Sequence, residues 1–381
     1  MNFATKCCYN GKRNNRKGVS EINMNDVAGI IFSNLHDRSI PELTGKRTMG
    51  AIPFGGKYRM VDFPLSAMAN AGIRNISVIA HHNYESLVEH IGNGSDWGIP
   101  TDRGGVKIIS PYMTAYAKSD ERYTSRLDSL KSICNNLERM KEKYIVMCDC
   151  DCLLDIDIND MVKFHISRRA CITVNSSEKL FTDQNGRIIN MDQSFSNPFD
   201  LNVNVWVFDK EYLVGMVKNA ISRHHDVSIC DIICKNIGNC RFFEYDCGHE
   251  ILRIKSLTDY FKTNMKLLSD FDFRKSIFDG FRCKKDTCLP TSFGGGAFVS
   301  SSLIAEGCNI DGKVENSIVF SGVKIEKDAF VKNSILLPNV RISAGAMLDF
   351  VVVDKNADIG GDYVLSGCKI LPYFISSEKI V

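Results

Sequence analysis

Three features of the sequence predict an α/β domain built on a mostly parallel, Rossmann-like sheet, followed by a left-handed parallel β-helix of hexapeptide repeats. Short apolar runs alternate with helical stretches from Asp26 to about Lys255. From about Thr291, apolar residues recur at Ile325, Val331, Leu337, Ile342, Leu348, Val353 and Ile359, in steps of six or five. Helices repeat near 3.6 and strands at 2, so a hexad marks a solenoid whose short strands form the sides of a triangular coil. A length of 381 residues suits two or three domains.

Taken in order, residues 1–24 are polar and basic without apolar periodicity, and are expected to form a disordered extension. The α/β domain is expected over 25–255. Its strand candidates are Val27–Phe32, Ile76–Ala80, Tyr144–Cys148, Cys171–Asn175, Val203–Phe208 and Ile251–Lys255, short apolar runs of the kind buried on both faces. Helices are expected at Glu85–Ile91 and Ser129–Lys143, the second with Leu130, Ile133, Cys134, Leu137 and Met140 on one face. Ligands on such sheets bind beyond the C-terminal strand ends. Residues 256–290 read as a helix, Ser256–Ser269, opened by Ser256 and Asp259 in the manner of a capping box, and then a linker. The β-helix is expected over 291–381, with roughly eighteen residues per coil and about four coils.

Composition excludes several function classes. Net charge is only +2, which gives no argument for nucleic acid or an anionic membrane surface. No apolar run approaches the ~20 residues that cross a bilayer. The fifteen cysteines are odd in number and scattered, as expected of reduced thiols in the cytoplasm. Cys148, Cys150 and Cys152 alternate to one face without the further converging ligands a zinc site needs. His81-His82 and His224-His225 suit capping or surface roles. No histidine occurs from Thr291 to Val381, which argues against an acyltransferase built on the solenoid.

The most distinctive stretch is Pro53–Ser66, PFGGKYRMVDFPLS, a Gly-Gly turn followed by Lys57, Arg59 and Asp62. Glycines there allow close approach to a ligand, and the cations suit phosphate. A turn carrying a solvated basic pair is the competing reading. The stretch resembles the signature of glucose-1-phosphate adenylyltransferases, which are sugar-phosphate nucleotidyltransferases. The resemblance runs from about Met24, an alternative start, to the C-terminus.

Adenylyl transfer in that family implies a Gly-rich loop around the triphosphate, a basic residue for the departing pyrophosphate and carboxylates for Mg²⁺. The first strand here leads instead into Ser33-Asn34-Leu35-His36-Asp37-Arg38-Ser39-Ile40, with no glycine between Gly29 and Gly45. Leu35 is expected to intrude where phosphate should lie, and Asp37 to repel it. Ser39 falls where the family has arginine. Asp151 matches the family's metal-binding aspartate, whereas the segment of the second aspartate is replaced by Arg253-Ile254-Lys255-Ser256, which puts a cation for a ligand, so Asp151 is expected in an ion pair. The nucleoside-contacting segment becomes Ser125-Arg126-Leu127-Asp128-Ser129, and the sugar-phosphate lysine becomes Asn197.

The resemblance therefore implies a subunit of the non-catalytic, regulatory D-type. No catalytic residue and no metal site of its own are expected, and no cofactor of its own. Mg²⁺ and ATP would be used by a catalytic C-type partner in a heterotetramer. Lys57, Arg59, Asp62 and Asp151 are the candidates for a vestigial pocket that binds a sugar-phosphate or nucleotide effector. The alternative is a self-sufficient nucleotidyltransferase with a rearranged site around Asp151 and Arg38.

Overall fold

The computed structural model describes residues 23–110, 125–175, 180–191, 204–223, 228–248, 251–284 and 289–377. The extension expected over 1–24 lies almost wholly outside the described residues, as do His224-His225, Asn197 and Cys288. Met24 opens a short 3-10 turn, Met24–Asp26, and packs against the main core.

Seven strands form the central sheet: β1 (Val27–Phe32), β2 (Asn75–Ile79), β3 (Gly105–Ile109), β4 (Tyr144–Asp149), β5 (Ile172–Asn175), β6 (Val205–Asp209) and β7 (Phe242–Tyr245). Their spatial order is β7-β5-β6-β4-β1-β2-β3. Only β6 runs antiparallel to its sheet neighbours. All six residues of β1 are buried, which explains its unbroken VAGIIF run. The two edge strands β3 and β7 were not anticipated. Both are partly exposed, so their runs carry a weaker apolar signal. Ile251–Lys255 gives only Leu252–Arg253, which leaves the sheet to pair antiparallel with Cys152–Leu153.

The expected helix Ser129–Lys143 is two helices, Arg126–Ser132 and Cys134–Arg139, broken at Ile133. Its apolar face survives the break, with Leu130, Ile133, Cys134 and Leu137 buried together. Ser256 caps the helix Leu257–Ser269 by accepting from Asp259 N–H. The return arm from Asp259 reaches Lys255 N–H at 3.3 Å instead of Ser256. A complete box occurs at Ser228 and Asp231, ahead of the helix Ile229–Asn236.

From Ser292 the chain winds into a parallel β-helix of three sheets, each with five strands rather than about four. Aligned positions Ser292, Asn309, Lys324, Arg341 and Asp358 step by 17 or 15 residues, tighter than the eighteen expected. Side chains bond from coil to coil along one corner. Asn316 donates to Asn333 at 2.7 Å and Asn333 to Asp349 at 2.8 Å, with both asparagines in the left-handed region that Asn tolerates. Leu337 departs from the hexad. It joins Ile318, Ile335 and Val352 against the α/β domain, while Leu336 fills the solenoid.

This contact is knitted by polar bonds as well. Arg47 donates two hydrogen bonds to Asp354, at 2.7 and 2.9 Å, with both side chains buried. The helix Leu257–Ser269 is tied to the α/β domain in turn: Tyr260 O–H donates to Pro53 C=O at 2.6 Å, and Asn264 Oδ1 accepts from Gly55 N–H at 2.9 Å. Among the described residues, no helix is long and apolar enough to cross a membrane.

Candidate functional site

The crest of the sheet is set by β1 and β4, whose last residues Phe32 and Asp149 stand side by side in register. The loop leaving β1 and the segment Asp149-Cys150-Asp151 leaving β4 must therefore meet there. His36 Nε2 lies 3.1 Å from Asp149 Oδ2 and 3.6 Å from Asp151 Oδ2. Arg126, the first residue of its helix, donates Nε–H to Asp149 Oδ1 at 3.1 Å and Nη2–H to Asp149 Oδ2. Its guanidinium also stacks over the Trp206 ring, 5.7 Å from the centroid. Arg253 donates Nε–H and Nη2–H to Asp151 Oδ2, at 2.8 and 2.6 Å.

His36, Arg126, Asp149 and Asp151 are all buried. Burial alone would raise the Asp149 pKa. Arg126 and His36 outweigh it and hold the carboxyl well below the usual range. Burial likewise opposes the Arg126 charge, and Asp149 more than restores it. The ion pair expected of Asp151 is thus present, with Arg253 as its partner. The Arg126 pair was not foreseen. The sequence marks Arg126 only as a lost nucleoside contact, because residue 126 and residue 149 meet through the sheet.

One nitrogen of His36 and one oxygen from each aspartate lie within 4.8 Å of one another, a spacing open to a metal ion. The chemistry of the set does not fit magnesium. Two guanidinium groups already occupy three of the four carboxylate oxygens and balance both negative charges. A hard divalent cation prefers several oxygen ligands and would meet two fixed positive charges here. Of those four carboxylate oxygens, Asp151 Oδ1 alone is buried without a hydrogen-bond partner.

The loop after β1 is bonded to itself and to the end of β2. Backbone N–H groups of Ser33, Asp37 and Ser39 donate to the carbonyls of Ile79, Asn34 and His36. Asp37 does not project its charge outward as expected. Its carboxylate accepts from Met49 N–H at 2.7 Å and Asn34 Nδ2–H at 2.6 Å, and burial pushes its pKa up to about 7. Leu35 likewise turns inward and packs on the second core cluster. Arg38 is exposed. A phosphate cradle needs backbone donors aimed outward, and those three amides are engaged within the protein.

Pro53–Ser66 lies in a second neighbourhood. Its hairpin pairs Pro53–Phe54 with Tyr58–Arg59 around Gly55 and Gly56, at φ of +61° and +86°. Both glycines serve the turn through their positive φ, and Gly55 serves packing as well: a Cβ there would meet Leu267 at 3.2 Å. Lys57 is exposed beside a crevice of about 240 Å³ between the hairpin and the first coil. Asp62 is wholly buried. It accepts from Arg59 N–H at 2.8 Å and pairs with His90 Nε2 at 2.7 Å, so it braces the hairpin instead of facing a ligand. Arg59 bonds Ser86 through its guanidinium, donating to Oγ at 2.8 Å. The positive fields of Arg59 and Arg47 also reach Lys355 on the solenoid. Burial first, and these arginines next, push the Lys355 pKa down to about 7. Cys148, Cys150 and Cys152 pack in the main core, where burial holds their thiols well up.

Residues 40–188 match the family described as nucleotidyl transferase, and residues 292–366 match the GlmU-like C-terminal hexapeptide family. The second match agrees with a left-handed parallel β-helix. The glucose-1-phosphate adenylyltransferase of Thermosipho africanus (strain TCF52B) is 30% identical over 328 residues, covering 81% of this chain and 78% of the relative. The chain belongs to the glucose-1-phosphate adenylyltransferase family. The enzyme of the same name from Fervidobacterium nodosum is 28% identical, covering 91% of this chain and 86% of its own. That of Clostridium perfringens (strain SM101 / Type A) is 25% identical over 93% and 97%. Likeness to these glucose-1-phosphate adenylyltransferases therefore spans both domains, and the paired arginines lie within it.

Proposed function

We propose that this chain is the regulatory, D-type subunit of a glucose-1-phosphate adenylyltransferase and has no useful activity alone. In this reading it assembles in the cytoplasm with a catalytic C-type chain, as a heterotetramer. The partner uses Mg²⁺ and ATP to convert glucose-1-phosphate into ADP-glucose and pyrophosphate for glycogen synthesis. The observation that carries the reading is the pairing of Arg126 with Asp149 and of Arg253 with Asp151. The scaffold is kept and the charge needed for the metal is neutralised from within. The inward-bonded loop at Ser33–Ser39 supports the same conclusion.

A regulatory chain needs somewhere to sense metabolites. Arg59 and Lys355 lie near the contact between domains, beside the Arg47–Asp354 pair, and an anionic sugar phosphate or nucleotide there would favour the charged lysine. Co-expression with a C-type chain tests the proposal. The two chains should co-purify, and turnover or effector response should differ from that of the C-type chain alone. Absence of co-purification together with unchanged kinetics would remove it.

A second reading, a self-sufficient transferase, draws on the convergence of His36, Asp149 and Asp151. It requires both arginines to leave their carboxylates. The pure chain would then make ADP-glucose with Mg²⁺ and lose that activity on Asp151→Asn substitution.

A further inference from the structure

The helix Leu257–Ser269 packs on the solenoid through Phe261 and Phe350, whose rings lie 6.1 Å apart and are tilted by 48°. Beside this contact a cleft of about 510 Å³ stays open, and it shares no lining residue with the crest of the sheet. Its volume is that of a small-molecule site.

Phe350 is out of place in its own repeat. It stands in a corner column with Ser301, Asn316 and Asn333, one residue from each coil. All four have φ between +44° and +54°. Asparagine tolerates that region, whereas a bulky ring is strained there. The asparagine ladder also ends at this point, because Asn333 donates to Asp349. Strain of this kind gathers at ligand sites, where the surrounding structure holds it in place. The ring that bears it is half-buried and lines the cleft, together with Met265.

The walls select for charge. Lys262, Lys266 and Lys369 are exposed and line the cleft, and no carboxylate does. Lys266 is shared with Asp270 at 3.8 Å, so Lys262 and Lys369 are the main cations. Sugar hydroxyls would find few partners, since the amides of Asn316 and Asn333 are engaged in the ladder. An apolar aromatic floor under a cationic rim suits a flat apolar body with a negative group at its edge.

We propose that this cleft binds an anion built on a planar ring, with the ring on Phe350 and Met265 and the negative group between Lys262 and Lys369. Two sources share that chemistry, a nucleotide and an aryl carboxylate. Phe350 and Lys355 flank the strand Val351–Val353 at opposite ends, roughly 15 Å apart along the chain, so this cleft is separate from the Arg59 and Lys355 neighbourhood. The proposal therefore does not rest on the regulatory reading.

Fluorescence titration of the full chain with 8-anilinonaphthalene-1-sulfonate, followed by competition, tests it. The wild type should show a saturable site. Phe350→Asn places in the corner a residue that suits it, so the melting temperature should hold or rise while affinity for the probe falls tenfold or more. Lys369→Glu should weaken binding severalfold at an unchanged melting temperature, since Lys369 is a surface residue, and Lys355→Met should leave binding unchanged. Displacement of the probe by ADP assigns the site to nucleotides, and displacement by benzoate assigns it to aryl carboxylates. A folded Phe350→Asn chain with wild-type affinity, a Lys369→Glu chain of unchanged affinity, loss of binding in Lys355→Met, or a probe displaced by neither competitor would each overturn the proposal.

Discussion

Arg253 and Lys355 carry the sharpest expectations for single side chains. Removing one partner of a buried ion pair leaves an uncompensated charge, which typically costs about 3–5 kcal/mol. Arg253→Ala should therefore lower stability by that order, leaving Asp151 buried with no guanidinium and only His36 beside it, at 3.6 Å. It should also open the carboxylate to a cation, and a ligand that binds only the folded state raises the melting temperature. Mg²⁺ is expected to raise the melting temperature of Arg253→Ala and leave the wild type unchanged, in thermal denaturation with and without the metal. Lys355 concerns pH. Its folded pKa is about 7 against 10.5 for an unperturbed lysine, so between those values the unfolded chain binds more protons. Stability contributed through Lys355 should rise with pH across that window, and Lys355→Met should flatten the rise in urea titrations. A phosphate bound beside Lys355 favours the ammonium form. Binding slightly above neutrality should take up protons, visible by calorimetry in two buffers of different ionisation enthalpy.

At the level of elements, the Gly-Gly hairpin is bonded to the helix Leu257–Ser269, and the Arg47–Asp354 pair joins the two domains. Gly55 has φ of +61° and faces Leu267, so Gly55→Ala should cost about 1–2 kcal/mol from backbone conformation alone. Chemical denaturation would read that loss. Arg47→Ala and Asp354→Ala should each destabilise, and the double variant should cost clearly less than their sum, because the interaction is lost once. Both the hairpin and the hexad are local patterns, which is why they could be read from sequence. Val27–Phe32 and Glu85–Ile91 were legible for the same reason, in one case six buried positions and in the other a short amphipathic turn. The edge strand Gly105–Ile109 was not, because half-exposed positions dilute the apolar run. The candidate site was legible only in outline. That Asp151 would gain a cationic partner follows from Arg253 replacing a ligand. That Arg126 would reach Asp149, or that Asp37 would fold back onto Met49 N–H, depends on the loops that sheet order brings together.

For the whole molecule, an intact scaffold surrounds a neutralised crest. The central sheet, the helix Leu257–Ser269 and the solenoid share one core cluster, so displacement of one domain must be felt by the other. That coupling is what a chain acting through a partner requires. The most direct measurement is ADP-glucose formation from ATP, glucose-1-phosphate and Mg²⁺ by the rigorously purified chain, alone and mixed with a catalytic C-type subunit. The expected result is no synthesis by the chain alone and a changed rate or effector response in the mixture. Sustained synthesis by the isolated chain, abolished by Asp151→Asn, would contradict the regulatory reading.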